Sequence, residues 1–322
     1  MRTIRWVGLL ALYVGAQLVA LLLADPFRAA GLSSTSNPQS VTAPLEIIVI
    51  IVAAPLAILW VARRQGGIAA LRHLILLAIV ASLYITLYAT FSILPPGLIL
   101  LPPYPAEIVI DVALILAAVV STCFYLALLM EPQWYVIDLT GFVAAGSLIA
   151  ILGISFAILP ALILLLALLV YDAVAVYGTK HMLSLAEVVT DMKLPILMVM
   201  PGSAGYDYPS APNLKAVRQQ PVEDREALFM GLGDVVIPGT LVVSAFVWLP
   251  THPEVLGIGG NLIAGIGALL GSLAGYALLM SRVLKGNAQA GLPFLNGGAI
   301  VGYIVAYVLV FHSFGLGLSP AL

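Results

Sequence analysis

Charged side chains are scarce in this chain of 322 residues: they make up 9% of the sequence, whereas 62% of the residues are hydrophobic. Soluble globular proteins contain about 25% charged residues. A surface that faces water on all sides could not be covered with so few charges. Most of the outer surface must therefore face lipid, and the sequence predicts an integral membrane protein.

The chain also lacks the residue patterns of a disulfide, metal or nucleic-acid site. Its single cysteine, Cys123, excludes an intramolecular disulfide and gives no thiolate cluster. The net charge of −2 provides no basic field for nucleic acid. The histidines lack metal-ligand spacing; they are His73, His181, His252 and His312. We therefore expect no metal, no other cofactor and no nucleic-acid partner.

The N-terminal segment carries Arg2 and Arg5 before an apolar run that ends at Ala24, a pattern that is similar to a signal sequence. The run is longer than a usual signal core, and Asp25-Pro26 follows it in place of a small-residue cleavage site. We expect this segment to be retained as the first membrane helix.

Long apolar runs predict nine transmembrane helices, because about 20 apolar residues cross a bilayer as a helix. One run is too long for a single span, and Gly153, Ser155 and Pro160 mark a turn near its middle, so it predicts two helices. The runs are Val7–Ala24, Ala43–Val61, Leu74–Leu94, Glu107–Met130, Tyr135–Gly178, Leu228–Leu249, Leu256–Met280 and Leu292–Phe314. The predicted fold class is an all-α polytopic membrane protein.

The distribution of positive charge orients the predicted bundle. With nine alternating spans, all of the 13 Lys and Arg residues except Arg28 fall on the side of the N-terminus. Cytoplasmic loops carry an excess of Lys and Arg. We therefore expect a cytoplasmic N-terminus and an external C-terminus.

A long cytoplasmic segment, residues 181–227, separates the sixth and seventh predicted helices. Met182–Met192 has the pattern of a short amphipathic surface helix. Leu194–Met200 is apolar and β-prone but too short to span a membrane. Pro201–Pro221 is rich in Gly, Pro, Ser and Asn, which is typical of a mobile loop.

Two carboxyl groups, Asp172 and Asp234, fall well inside predicted spans. An Asp at mid-helix in a membrane costs about 2.5–3.5 kcal/mol on insertion scales, so such residues are rare and usually functional. Glu107, Asp111 and Asp138 fall near predicted helix ends, where we expect the interface to hydrate them. Asp172 and Asp234 are therefore the candidate functional acids.

A pair of acids can catalyse hydrolysis by sharing one proton. Two carboxyl groups about 3 Å apart cannot both ionise, so one acts as a base toward water and the other as an acid toward the scissile carbonyl. Gly231 and Gly233 flank Asp234 and leave room for a second backbone beside it. Each of these signals alone also fits plain helix packing, and intramembrane acids also serve proton-coupled transporters and channels.

Five stretches of the sequence resemble the presenilin and signal peptide peptidase family, whose members are nine-span aspartyl proteases with a Gly-x-Gly-Asp motif. They are Tyr171-Asp172, Gly178–Met182, Leu194–Ile196, Gly231–Gly239 and Gln289–Pro293. By this resemblance, Asp172 and Asp234 are the catalytic acids. The resemblance also implies a shell around them, made of Tyr171, Gly231, Leu232, Gly233, Gln289, Ala290, Gly291, Leu292 and Pro293.

The last of these stretches departs from the family pattern. The family usually has Gln-Pro-Ala-Leu, whereas this chain places Ala290 and Gly291 between Gln289 and Leu292. The family uses this segment to shape the catalytic centre and position substrate. The departure bears on the fine geometry of the site, not on the class of reaction.

The resemblance implies an intramembrane endopeptidase that cuts transmembrane segments or remnant signal peptides within the bilayer, without a cofactor. It implies that residues 1–158 form a scaffold and residues 159–322 a catalytic half. It implies that accessory subunits are not required, and it leaves a homo-oligomer open. Leu194–Met200 is placed to offer a strand edge to an unwound substrate. If the chain is prokaryotic, the location is the cell membrane.

Three other classes of protein remain open on the residues alone. A proton-coupled transporter or channel would use the two acids, although the chain shows no inverted repeat of the kind that many transporters have. The second class is an intramembrane protease of another type. A zinc protease would need a His-Glu-x-x-His motif, which is absent. A serine protease would need its serine in a helix, whereas the serine of Gly202–Gly205 lies in a predicted loop. A non-catalytic membrane chaperone is the third class.

Overall fold

Apolar helices dominate the structure, a computed structural model that describes residues 2–64, 66–93, 106–179, 190, 192–203, 205–211, 225–283 and 289–318. These ranges contain nine α-helices: α1 (Arg2–Ala29), α2 (Thr42–Ala62), α3 (Gly67–Ile93), α4 (Ala106–Met130), α5 (Trp134–Ser155), α6 (Ile158–Ala173), α7 (Leu232–Trp248), α8 (Gly260–Val283) and α9 (Leu292–Phe311). A π-helix, Val174–Thr179, continues α6.

The apolar runs form helices because a segment in lipid has to satisfy its own backbone polar groups. Eight of the described helices are long and apolar enough to cross a membrane, and α7, with 17 residues, is apolar but shorter. The predicted multi-pass helical fold is therefore confirmed. The predicted break in the fifth run is also found: α5 ends at Ser155 and α6 begins at Ile158. Pro160 lies within the first turn of α6, where a missing backbone N–H costs nothing.

Two predicted helix starts are wrong because short strands precede the helices. Leu228–Gly231, predicted to begin the seventh span, belongs to a strand, and α7 begins only at Leu232. The eighth helix begins at Gly260 rather than at Leu256. Leu256 and Gly257 both have positive φ, which is the requirement of a two-residue hairpin turn. That turn joins β3 (Glu254–Val255) to β4 (Ile258–Gly259).

The segment between α6 and α7 contributes a two-stranded antiparallel sheet. β1 (Leu197–Pro201) pairs with β2 (Ala227–Gly231), and Leu197 lies opposite Gly231. The predicted strand Leu194–Met200 is confirmed in its second half. The predicted helix Met182–Met192 lies largely outside the described residues. About half of the predicted loop Pro201–Pro221 is described, and after Pro201, which ends β1, this half consists of turns and irregular backbone.

Glycine positions α8 against α9. A Cβ at Gly271 would collide with the backbone of Gly298 and Gly302, and a Cβ at Gly275 would collide with the backbone of Phe294. Small residues let membrane helices approach this closely. The approach fixes the N-terminal end of α9, which carries the segment that departs from the family pattern.

Asp138 is not hydrated at a helix end, as predicted, but is buried with 5% of its surface exposed. The prediction fails because β1 packs across α5 and covers this residue. The Asp138 Oδ1 atom accepts a hydrogen bond of 2.6 Å from the backbone N–H of Val199 in β1. Among the described residues, the Oδ2 atom has no hydrogen-bond partner. Asp138 therefore attaches the sheet to the helical bundle.

Replacing Asp138 by Ala should destabilise the protein by about 1–3 kcal/mol, because a buried backbone donor on Val199 would lose its acceptor. Asp138→Asn keeps an oxygen that can accept the bond and should retain most of the stability. Thermal unfolding of the purified protein in detergent measures both. Equal stability of Asp138→Ala and the wild type would contradict the attachment.

Candidate active site

Asp172 lies near the end of α6 with 6% of its surface exposed. Its Oδ2 atom accepts a hydrogen bond of 3.0 Å from the backbone N–H of Leu292 at the start of α9. Directly after it, the α-helical hydrogen bonding gives way to the π-helix. Such π segments occur frequently at functional sites because they redirect the side chains that follow.

Asp234 is the third residue of α7 and is half-buried. The sheet sets its position: β2 ends at Gly231, and the backbone N–H of Leu232 donates to the carbonyl of Ile196 at 3.0 Å. The start of α7 is thus hydrogen-bonded to the chain just before β1. The short strand β2 therefore determines where this carboxyl group stands.

The two glycines beside Asp234 differ in their surroundings. A Cβ at Gly231 would meet the nearer carboxyl oxygen of Asp234 at 3.4 Å, an ordinary contact. Gly233 is exposed, and apart from its chain neighbours and its own helix backbone no atom of the described residues lies within 4 Å of such a Cβ. The open side of Asp234 thus lies at Gly233, where a second backbone has room to approach.

Two consecutive residues bring the acids together. Leu292 donates its backbone N–H to Asp172, and Gly291 faces Asp234: a Cβ at Gly291 would lie 2.9 Å from Oδ1 and 3.0 Å from Oδ2 of that carboxyl. The carboxyl groups from α6 and α7 therefore meet at the turn before α9.

Gly291 also explains the departure from the family pattern in physical terms. Its φ of −78° and ψ of −49° suit any residue, so backbone conformation does not require glycine here. The Ala that the family usually has would place its Cβ 2.9 Å from Oδ1 of Asp234, so this carboxyl would have to shift. Glycine at this position leaves the Asp234 carboxyl where it lies.

Tyr177, in the π-helix, holds the rest of the segment. Its hydroxyl donates to Gln289 Oε1 at 3.0 Å and accepts the backbone N–H of Ala290 at 3.2 Å. Ala290 itself is fully buried. Sequence reasoning missed Tyr177, and the available signal was a hydroxyl five residues after Asp172 on the same helix.

Asn296 is a second residue that sequence reasoning missed. Its side-chain amide donates to the carbonyl of Leu165 at 2.9 Å, and the side chain is completely buried. This hydrogen bond ties α9 to α6 at Leu165, which precedes Asp172 on the same helix. An amide inside an otherwise apolar span was the signal that could have found it.

The remaining predicted site residues support the site from its edges. Tyr171 is half-buried and packs against the main hydrophobic core. Leu232 is buried in the same core. Pro293 occupies the first turn of α9, where proline suits the start of a helix.

A family described as "Signal-peptide peptidase, presenilin aspartyl protease" matches residues 10–312. The chain belongs to the signal-peptide peptidase and presenilin aspartyl protease family. It is 32% identical to a presenilin family intramembrane aspartate protease solved in space group C222, with a TM-score of 0.62 over 95% of this chain and 99% of that chain.

A structure of a presenilin family intramembrane aspartate protease in space group P2 is 33% identical, with a TM-score of 0.60 over 94% of this chain and 97% of that chain. The comparison with curated proteins gives no significant match. Membership in the presenilin family confirms the predicted enzyme class: an aspartic endopeptidase that acts on transmembrane substrates as a multi-pass membrane protein. The transporter, channel and chaperone classes gain no support from these similarities.

Gly291→Ala, which restores the usual residue of the presenilin family, should lower kcat by roughly tenfold or more. The added Cβ would displace the Asp234 carboxyl, and a misplacement of about 1 Å can cost 10²-fold in rate. Steady-state cleavage of a single-span substrate by purified protein measures the effect.

Gly297→Ala is the matched control, because the nearest atom to its Cβ would be a Leu169 methyl at 4.0 Å. This control should keep wild-type kcat. Wild-type kcat in Gly291→Ala, with the control also active, would contradict the close approach of residue 291 to the acid.

Proposed function

We propose that Asp172 and Asp234 are the catalytic acids with which this presenilin-family protease hydrolyses peptide bonds inside transmembrane segments. The observation that carries the proposal is that two consecutive residues adjoin the two acids: Leu292 donates its backbone N–H to Asp172, and Gly291 lies beside the carboxyl of Asp234. Neither α6 with its π-helix nor α7 contains a Lys or Arg that could neutralise an ionised pair. Sharing one proton therefore keeps two such groups together in lipid at the lowest free-energy cost.

The reaction follows from that shared proton. The ionised acid takes a proton from water as the water oxygen bonds to the scissile carbonyl carbon. The protonated acid gives its proton to the carbonyl oxygen. When the tetrahedral intermediate collapses, the acid that took the water proton gives it to the nitrogen, the C–N bond breaks and the nitrogen leaves as an amine. The other acid, now ionised, takes a proton back from one hydroxyl of the intermediate, so the carbonyl carbon becomes that of a carboxylic acid and the pair again holds one proton. The backbone N–H of Leu292 holds Asp172 in place for both steps.

A substrate has to be unwound before its peptide bonds are accessible, and a strand edge can hold the unwound segment. We place this edge on β2, not on Leu194–Met200 as the sequence suggested. Backbone hydrogen bonds from Leu232 to Ile196 and from Gly202 to Glu226 lie at the two ends of the β1–β2 pair. Backbone pairing alternates along antiparallel strands, so β2 turns its backbone groups outward at alternate residues, Ala227 and Phe229.

The outer edge of β1 is unsuited to a substrate because Asp138 already accepts the backbone N–H of Val199 there. The outer edge of β2 leads straight to Gly233, the open side of Asp234. A strand added to β2 would therefore run toward the acids. In the same scheme, residues 1–158 serve as scaffold, and residues 159–322 carry the catalytic groups.

Asp172→Asn and Asp234→Asn should each lower the cleavage rate by at least about 10⁴-fold, because the acid and the base act as one unit. Asn keeps the size of the side chain and should leave the fold intact. Cleavage of a generic single-span substrate by purified protein, with thermal unfolding in parallel, measures both properties.

Asp25→Asn serves as the control, since Asp25 is exposed near the end of α1. It should cleave at the wild-type rate. Appreciable cleavage by either active-site variant would overturn the assignment of the two acids.

The charge distribution supports a further proposal on direction. If the segment between α6 and α7 is cytoplasmic, substrates with an external N-terminus should be favoured, as they are by presenilins. In a Cys123→Ser background, Ser210→Cys should label from the cytoplasm and Ser319→Cys from outside. Cys123 is exposed, so its removal is needed for single-site labelling.

Matched substrates that differ only in orientation should then be cut unequally. Cytoplasmic labelling of Ser319→Cys would contradict the orientation of the bundle. Correct labelling together with faster cleavage of inverted substrates would contradict only the link between topology and specificity.

A further inference from the structure

A basic pocket lies where the turn between α2 and α3 meets the segment that leads to β1. It has a volume of about 500 Å³, and its lining includes Arg64, Ile68, Arg72, His73, Met192 and Lys193. None of the described lining residues is acidic. Three cationic side chains and a histidine thus face one cavity, at some distance in sequence from the two catalytic acids.

Neutral partners hold the two arginines in place without cancelling their charge. Arg72 donates from Nη2 to the carbonyl of Leu128 at 3.2 Å, and its buried Nε atom has no hydrogen-bond partner among the described residues. The Arg64 guanidinium stacks on Trp60, 3.7 Å from the ring centroid. Since the described partners of Arg72 are backbone carbonyls, its positive charge stays available at the wall of the cavity, where it would attract an anion.

Lys193 completes the cationic wall from the other side of the cavity. Its Nζ atom donates to the carbonyl of Tyr208 at 2.8 Å and lies over the ring of the same residue. Both contacts turn the Lys193 ammonium toward Tyr208. The arginines of the α2–α3 turn therefore carry most of the attraction for an anion.

Exposed apolar side chains surround this cationic cavity. Ile68 lines the pocket and is 50% exposed, Leu74 follows His73 and is 65% exposed, and Trp60 is 58% exposed. These residues lie at the adjoining ends of two helices of membrane-spanning length. A ligand that used both surfaces would need an anionic head and an apolar body.

We propose that the pocket binds an anionic phospholipid from the leaflet on this side of the membrane. Its phosphate would contact Arg72 and Arg64, since guanidinium groups bind phosphate oxygens in pairs, and its acyl chains would lie along α2 and α3. Basic pockets between membrane helices are known to take anionic lipid headgroups. A free phosphate or an acidic peptide would use the charges but leave the apolar surface without a partner.

The bound lipid would brace the α2–α3 turn against the chain that enters the sheet. Lys193 lies three residues before Ile196, whose carbonyl accepts the N–H of Leu232 at the start of α7. The proposal concerns binding alone. It does not depend on the assignment of Asp172 and Asp234, and substrate is absent from its test.

The test measures phospholipid retention by the full-length protein in detergent. Delipidated protein is equilibrated with mixed micelles of phosphatidylglycerol and phosphatidylcholine, and bound lipid is counted by native mass spectrometry. The wild type should retain phosphatidylglycerol selectively. Arg72→Gln and Arg64→Gln should each weaken retention roughly fivefold, the effect of one cation near an anionic headgroup.

Arg63→Gln is the matched control, because Arg63 precedes Arg64, is exposed and does not line the pocket. It should retain lipid like the wild type. If Arg72→Gln unfolds, Arg64→Gln decides alone, since its contact is to an exposed ring.

Equal retention by the Arg64 variant and the control would overturn the proposal.

Two competition arms identify the source of the phosphate. Inorganic phosphate that displaces the lipid at equal concentration would point to a site for a soluble anion. An acidic peptide that binds where phosphatidylglycerol does not would point to a protein partner. Either result would overturn the assignment to lipid, and failure of both competitors would support it.

Discussion

The contact of Gly291 and Leu292 with the carboxyl groups of Asp172 and Asp234 is the interaction on which the rest of the site depends. Two acids in a lipid-embedded bundle repel each other if both are charged, and each is costly to bury. These costs are reduced without a cation. The backbone N–H of Leu292 donates to Asp172, and Gly291 has no side chain to press on Asp234. The same turn that starts α9 thus satisfies one acid and makes room for the other.

The surrounding elements all fix the position of that turn or of the acids. Close packing of α8 on α9 fixes the position of α9 along α8, because the two backbones meet where glycines have no side chains. Tyr177 holds residues 289 and 290 against the π-helix that follows Asp172. The sheet sets the start of α7 through the bond from Leu232 to Ile196. Asp138 in turn fixes the sheet to α5.

Hydropathy was sufficient to predict the helices, and hydropathy with short motifs was sufficient to select Asp172 and Asp234 as the candidate acids. An apolar run of about 20 residues has few alternatives in a membrane, and an acid inside such a run stands out against its surroundings. The strand β2 (Ala227–Gly231) could not be recognised in this way, because its apolar residues continue the hydropathy of α7. Periodicity does not separate a short apolar strand from the first turn of a helix.

Contacts between distant parts of the chain account for the other misses. Asp138 is near a helix end in sequence, and only the packing of β1 across α5 shows that it is buried. Tyr177 and Asn296 act through hydrogen bonds to residues more than 100 positions away. The effect of Gly291 was visible in sequence as a departure from the family, but its reason is the distance to a carboxyl on another helix.

The pH dependence of kcat tests the shared proton most directly. A pair with one proton is active only when one acid is protonated and the other ionised, so the rate should rise and then fall with pH, and both apparent pKa values belong to the pair. The measurement uses purified protein and a single-span substrate, with folding checked at each pH. A bell-shaped profile is the predicted result. A rate that changes in one direction only between about pH 4 and 9, with the protein folded throughout, would contradict it.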